Sequence, residues 1–421
     1  DLVKDEPPST ERTEVQGLLE VARLGPKRNL EGVASAGLQD AVVRATEAWA
    51  GTPEGAAQRR SALMILWGEA EHLFGTGQLE ECLAVTARIC DQAVQWGDED
   101  FIALAHWRFG TAHAVMGNPQ EAQSHLDWVL DWKTPEQRAA LRAVVGLDLT
   151  STTLAFSAVN HCHMGYGERA LAHSARATAA AASQGDTYGQ VFAAGLGGIV
   201  HFLLGSDAAA LEACAEQCER LCPQQGFAYW RVYAEMFRGR LMVTAGEDLA
   251  GIERMRRVVA GMQSKGSPVG TDSFVVMLAD SCLLAARRRP PPGDEQRDNV
   301  LATGLAAIDA MLAPSKTPYE QSYEAELRRL RGELLLERDG LAAAGEALAC
   351  FERAMARGRE KGALAWELRA AMSLARLAAR RGDAHAVEQA AAQAGLRSVV
   401  ARFPEGFSFP DRVEAAALMG V

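Results

Sequence analysis

The chain has 421 residues, 48% of them apolar and 23% charged, which suffices for a buried core and argues against disorder. Lysine and arginine total 43 against 54 acidic residues, and a net charge of −11 is the wrong sign for a surface that neutralises phosphates, so nucleic acid is not the expected partner. The longest apolar stretches, such as 192–204, contain Gly or His and fall short of the ~20 residues a bilayer span requires, so no membrane span is expected.

Residues 1–28 begin at Asp1, carry Pro7, Pro8 and many charges, and show no sustained apolar period. They read as an arm or linker with at most one short helix, on a chain that looks like an excised piece or a processed product. A basic start followed by an apolar stretch is missing, which speaks against a secretory signal. The eight cysteines lie mostly inside apolar helical patterns, so a reducing compartment, by default the cytoplasm, is expected over a disulfide framework.

From Leu38 onward apolar residues recur at three- and four-residue spacing and β-branched alternation is nearly absent, so residues 29–421 read as all-α. Glycines punctuate the helices, and aligning on them exposes a register of three small residues separated by seven and five positions. Gly110, Gly117 and Ala122 follow it, then Ala158, Gly165 and Ala170, then Gly198, Gly205 and Ala210, then Gly239, Gly246 and Gly251. Ala70, Gly77 and Cys82 make an earlier unit, and Gly332 with Ala347 a later one whose turn carries three extra residues. The pattern is similar to tetratricopeptide repeats, where a small residue early in helix A admits helix B, a Gly opens the turn, and a small residue early in helix B fits back against helix A. The fold expected is a right-handed superhelical solenoid of about seven to eight tetratricopeptide-like helix pairs.

Further along, Gly97 to Asp100 reads as a solvated turn with N-capping carboxylates. Cys214, Cys218 and Cys222 repeat along one helix face without an evident fourth ligand and read as packing. Helices are expected over 272–288 and 299–312, joined by an exposed loop with Arg287, Arg289 and the helix-forbidding Pro290 to Pro292, and then over 365–380 and 384–400. A tail with Phe403, Pro404, Gly406, Phe409 and Pro410 leads to a capping helix over 411–419.

Three segments, YEAELRRLRGELLL at 323–336, WELRAAMSLARL at 366–377 and EGFSFPD at 405–411, carry a more specific signal. Here the chain resembles the C-terminal tetratricopeptide-like region of bacterial predicted-ATPase and adenylate-cyclase-like regulators, also called signal-transduction ATPases. In that family an output domain and an ATPase module precede a long helical-repeat region. This sequence has neither a Gly-rich loop ending in Lys-Ser or Lys-Thr nor a cyclase segment, so the resemblance implies the sensor or scaffold part alone.

In tetratricopeptide arrays the concave wall is formed by helix A positions −6, −3, −2, +1, +4 and +5 about the early small residue. The register then gives Met64, Trp67 and Phe74; Trp107 and Arg108; Phe156, Cys162 and His163; Phe192, Leu196 and Phe202; and Tyr233, Met236, Phe237 and Arg240. Of 13 Phe, 8 Trp and 6 Tyr in the chain, eight fall on this one surface. Two readings stand. The rings pack as core and the chain is a protein–protein scaffold, or they form an apolar channel for a hydrophobic peptide, protein segment or small molecule, with Arg108, His163 and Arg240 as polar anchors.

His113, His161 and His201 sit three residues after the small residue, where such repeats pack a ring, and read as structural. His161 and His163, two apart on a helix, point to different faces and do not suggest a metal. Gly-x-Ser-x-Gly and His-Glu-x-x-His are missing, so neither catalysis nor a cofactor or metal is assigned; an enzyme would need a convergent site around His163. The expected function is a regulatory binding module of unassigned oligomeric state.

Overall fold

A computed structural model describes residues 10–49, 55–134, 137–138, 141–264, 269–289, 294–313, 322–382, 385–403 and 409–420. The described part is all-helical, without a strand. The expected loop prolines Pro290 to Pro292, together with Pro7, Pro8, Pro404 and Gly406, lie outside the described residues.

Eight consecutive helix pairs follow α3 (Ala36–Trp49): α4 (Ala56–Gly75) with α5 (Leu79–Trp96), α6 (Glu99–Val115) with α7 (Pro119–Trp132), and, after the single turn α8 (Arg142–Val145), α9 (Leu149–Met164) with α10 (Gly167–Ser183). Next come α11 (Thr187–Leu203) with α12 (Ala208–Gln225), α13 (Ala228–Thr244) with α14 (Asp248–Ser264), and α15 (Thr271–Arg287) with α16 (Glu295–Leu312). The last two are α17 (Glu324–Asp339) with α18 (Ala344–Lys361), bridged by a 3₁₀ turn at Gly340–Ala343, and α19 (Leu364–Arg381) with α20 (Ala386–Val400), before α21 (Pro410–Met419). The bridging turn is where the sequence carries its three extra residues.

The small residues of the register sit where helices approach most closely. A Cβ on Gly251 would lie 2.5 Å from the Gly239 carbonyl oxygen, and one on Gly198 2.3 Å from the Phe237 ring. Between partners, Gly165 turns the chain at φ +85°, a conformation only Gly adopts freely. Asp98 and Asp148 cap the following helices by accepting from backbone N–H groups, which confirms the capping turn expected at Gly97 to Asp100.

The first helices of successive pairs touch one another and form an inner layer, and α9 also touches α19, so this layer meets itself. Trp366 donates its Nε1–H to the Ser322 carbonyl (2.8 Å), while the Ser322 N–H donates to the carbonyl of Val115 (3.2 Å). Lys361 reaches Asn118 (2.9 Å), Arg369 reaches the Leu203 carbonyl (2.5 Å), and Phe403 lies against Gly165.

The N-terminal segment requires a correction. Residues 1–28 were expected to be an arm with at most one short helix, whereas α1 (Thr10–Ala22) and α2 (Leu24–Glu31) are both helical, and α2 runs through the expected boundary at 28/29. Leu24 packs with Leu38 and Ala41, and Arg28 is 2% exposed. No described helix is long and apolar enough to cross a membrane.

Candidate functional site

The inner layer surrounds a cavity of about 1060 Å³ including its mouth. Successive helices supply its rings. Trp107 of α6 meets Phe156 of α9 edge-on at 6.1 Å; Phe156 meets Phe192 of α11 at 5.7 Å; Phe192 meets Trp230 of α13 at 4.8 Å; and Tyr233 lies 5.0 Å from Trp230. Edge-on and tilted geometries let the rings interlock favourably without filling the space between them.

One wall is ionic. Glu71 of α4 accepts from Arg28 (3.1 Å) and from Arg108 (3.1 Å), and all three side chains are buried. Arg28 also donates to the Gly146 carbonyl (2.7 Å), and beside it Asn29 does the same (3.2 Å). Arg108 stacks on Phe74 and Trp107 at 4.4 and 4.8 Å from the ring centres, so a guanidinium that burial would otherwise destabilise lies on ring faces. This wall holds two cations and one carboxylate. Further round the cavity, the buried Asp272 accepts from Ser322 Oγ (3.2 Å) and from the Ser273 N–H (2.7 Å).

Among the described residues that line the cavity, four buried side-chain atoms have no hydrogen-bond partner: Trp107 Nε1, Arg108 Nε, Asn160 Oδ1 and His163 Nε2. His163 packs edge-on to Tyr323 (4.9 Å) and beside Trp366 (5.3 Å). Burial, with Arg369 adding to it, lowers its pKa to about 3, so the ring is neutral at physiological pH.

Of the residues expected on the inner surface, Phe74, Trp107, Arg108, Phe156, His163, Phe192, Leu196 and Tyr233 line the cavity. Trp67 stands behind Arg108, 5.9 Å from Trp107, and is 2% exposed. Phe237 is fully buried against Gly198 and is core. Arg240 and Phe202 do not line this cavity. Arg240 pairs with Asp280 (2.9 Å), donates to Ser281 Oγ (3.0 Å) and covers Phe202 at 5.4 Å, because α15 packs over that register position.

Sequence reasoning missed Arg28, Asn29, Glu71, Tyr188, Tyr229 and Trp230. Glu71 was legible, since it occupies the same +1 position as Arg240. Tyr188 and Tyr229 both stand ten residues before their small residue, one turn beyond the positions considered. The cysteines at 214, 218 and 222 are half-buried or buried thiols, and burial raises Cys214 and Cys222 to about 11 and Cys218 further still. His161 packs against His173 (4.9 Å) and Tyr166 (5.9 Å), a structural placement. The basic residues near the proline loop are paired, Arg287 with Glu333 (2.9 Å) and Arg288 with Asp248 (3.2 Å). In comparisons with known proteins, no family model matches this sequence and no curated protein matches it significantly.

Proposed function

We propose that this chain is a non-enzymatic regulatory binding module. In this reading it is a right-handed superhelical array of tetratricopeptide-like pairs, acting in the cytoplasm as the sensor part of a regulator like those its C-terminal segments resemble. The ligand is a small apolar molecule with a ring and one or two polar atoms. The observation that carries this is the cavity that the protein's own side chains leave open, lined by rings from four successive pairs. Apolar walls with a few polar side chains among them, here Arg28, Asn29 and Asp272, are the usual make-up of a small-molecule site. A hydrophobic peptide fits less well, since Asn29 and Gly32 occupy one side of the cavity and Ser322 and Tyr323 another.

The competing reading is a scaffold whose aromatic interior is purely structural, and the full burial of Trp67 and Phe237 favours it for those two rings. Val159 lines the cavity, and Val159→Trp adds a ring to the empty space without removing a packed group. A calorimetric screen against fractions of a cell extract should find a small ligand for the native chain. The filled variant should lose that binding while melting within a few degrees of the native chain. Retained binding in Val159→Trp, or a screen without small-molecule uptake, rejects the receptor reading in favour of the scaffold.

A further inference from the structure

A second cluster lies apart from the cavity, between α6 and α7. His113 on α6 and Glu121 and His125 on α7 each offer one ligand atom, and these three atoms lie within 4.8 Å of one another. Glu121 and His125 are four residues apart and share a helix face, with His125 Nε2 4.0 Å from Glu121 Oε1. His113 supplies the third donor across the pair; its ring lies parallel to that of His125 within 3° at 6.0 Å between centres, so the two in-plane lone pairs meet at one ion only once the His113 ring turns.

We propose that His113, Glu121 and His125 bind a divalent transition metal of the zinc class, with His106 as the positioning residue behind His125. Two imidazoles and one carboxylate are the donor set that suits such ions, which take three protein ligands and leave a fourth position for water. Metal–ligand bonds of 2.0–2.1 Å place neighbouring donors of a tetrahedral site about 3.4 Å apart. Binding therefore requires the His113 ring and the Glu121 carboxylate to turn toward His125 Nε2. Glu121, with a 61% exposed side chain, is free to make that movement.

The second shell supports the same assignment. His125 Nδ1 lies 3.0 Å from His106 Nδ1, and one of the two must carry the proton. A metal on His125 Nε2 requires Nδ1–H to donate and His106 Nδ1 to accept, an arrangement that fixes tautomer and ring direction as in other histidine-ligated sites. His106 is held flat on Trp128, 4.0 Å between centres and 13° between planes, so the acceptor is rigid. Two contacts oppose binding. Asn118 Nδ2 stands 3.4 Å from His113 Nδ1, and Lys361, which lies 2.9 Å from Asn118 Oδ1, brings a positive charge nearby.

The test is calorimetric titration of the metal-free full chain with zinc chloride, with cobalt(II) absorption as a geometric readout. One equivalent of zinc should bind with micromolar affinity or better. Glu121→Gln, a change on the surface that leaves the fold intact, and His125→Ala should each weaken it roughly tenfold or more. His106→Phe keeps the stack on Trp128 but removes the acceptor, and should weaken binding roughly 10- to 100-fold with an altered cobalt spectrum. No stoichiometric uptake by the native chain overturns the proposal. So does uptake unchanged in Glu121→Gln and His125→Ala, or uptake abolished only by Cys214→Ser with Cys218→Ser.

Discussion

The first five helix pairs and the last two present the same register positions to the interior but opposite chemistry. Counted from Gly332, the −6, −3 and +1 positions of α17 are Glu326, Arg329 and Glu333, where earlier pairs place Tyr233 at −6, Trp107 at −3 and, at +1, Val159 as well as the charged Glu71 and Arg240. In the last two pairs the flexible charged chains complete one another: Arg329 pairs with Glu326 (2.8 Å), Arg369 with Glu326 (3.1 Å) and Asp411 (2.6 Å), and Ser373 donates to Glu333 (2.6 Å). In the earlier pairs the rings are rigid, their shapes do not close, and the cavity remains. The repeat decides which positions face inward; residue type decides whether those positions line a cavity or pair with one another.

The sharpest way to break the comparison is to put an unbalanced charge into the aromatic half. Glu71→Ala leaves Arg28 and Arg108 buried without their carboxylate, which should cost about 3–5 kcal/mol in a urea unfolding experiment and release α2 to proteolysis. A loss below about 1 kcal/mol would mean that α2 is not seated by this triad.

Acid separates the halves next. Burial alone would raise the Glu326 carboxyl, but Arg329 and Arg369 pull it down to about 2 from the usual 4.5. A carboxyl more acidic in the folded than in the unfolded chain contributes stability that is complete above pH 4.5 and is lost as pH falls from there toward 2. In the aromatic half, burial lowers His161, helped by His173, to about 4, and His163 to about 3. The unfolded chain takes up those protons below pH 6.5 while the folded chain refuses them, so this loss begins about two pH units earlier. Unfolding free energy against pH should fall in two stages; His161→Phe should flatten the limb between 6.5 and 4, and Glu326→Gln the limb between 4.5 and 2.

The helix pairs were legible because each rests on local periodicity and on small residues at fixed spacing. The helix expected over 272–288 is found at Thr271–Arg287, and that over 411–419 at Pro410–Met419. Eight of the fifteen residues expected on the inner surface line the cavity for the same reason. What was illegible depends on long-range partners. Arg28 is a charged residue in a polar segment until Glu71, 43 positions away, meets it. The histidine cluster joins His106 to His125 across 19 positions, and no single-helix period connects them. Arg240 was misplaced because the register predicts the direction of a side chain but not that α15 will cover it.

Two smaller substitutions complete the contrast between packing and charge. Gly198→Ala places a methyl group 2.3 Å from the Phe237 ring, and Phe237, fully buried, has little room to withdraw, so about 1–3 kcal/mol should be lost. Arg331→Ala removes ion pairs to Asp309 and Glu346, both at 2.7 Å, from the outer face of the same α17 that buries Glu326 and Arg329. Because Asp309 and Glu346 are more than half exposed, water replaces the guanidinium, and thermal melting should register a loss below about 1 kcal/mol. Equal costs for Arg331→Ala and Glu326→Gln would mean that the interior of the last two pairs is wet, and that the difference between the halves lies in composition alone.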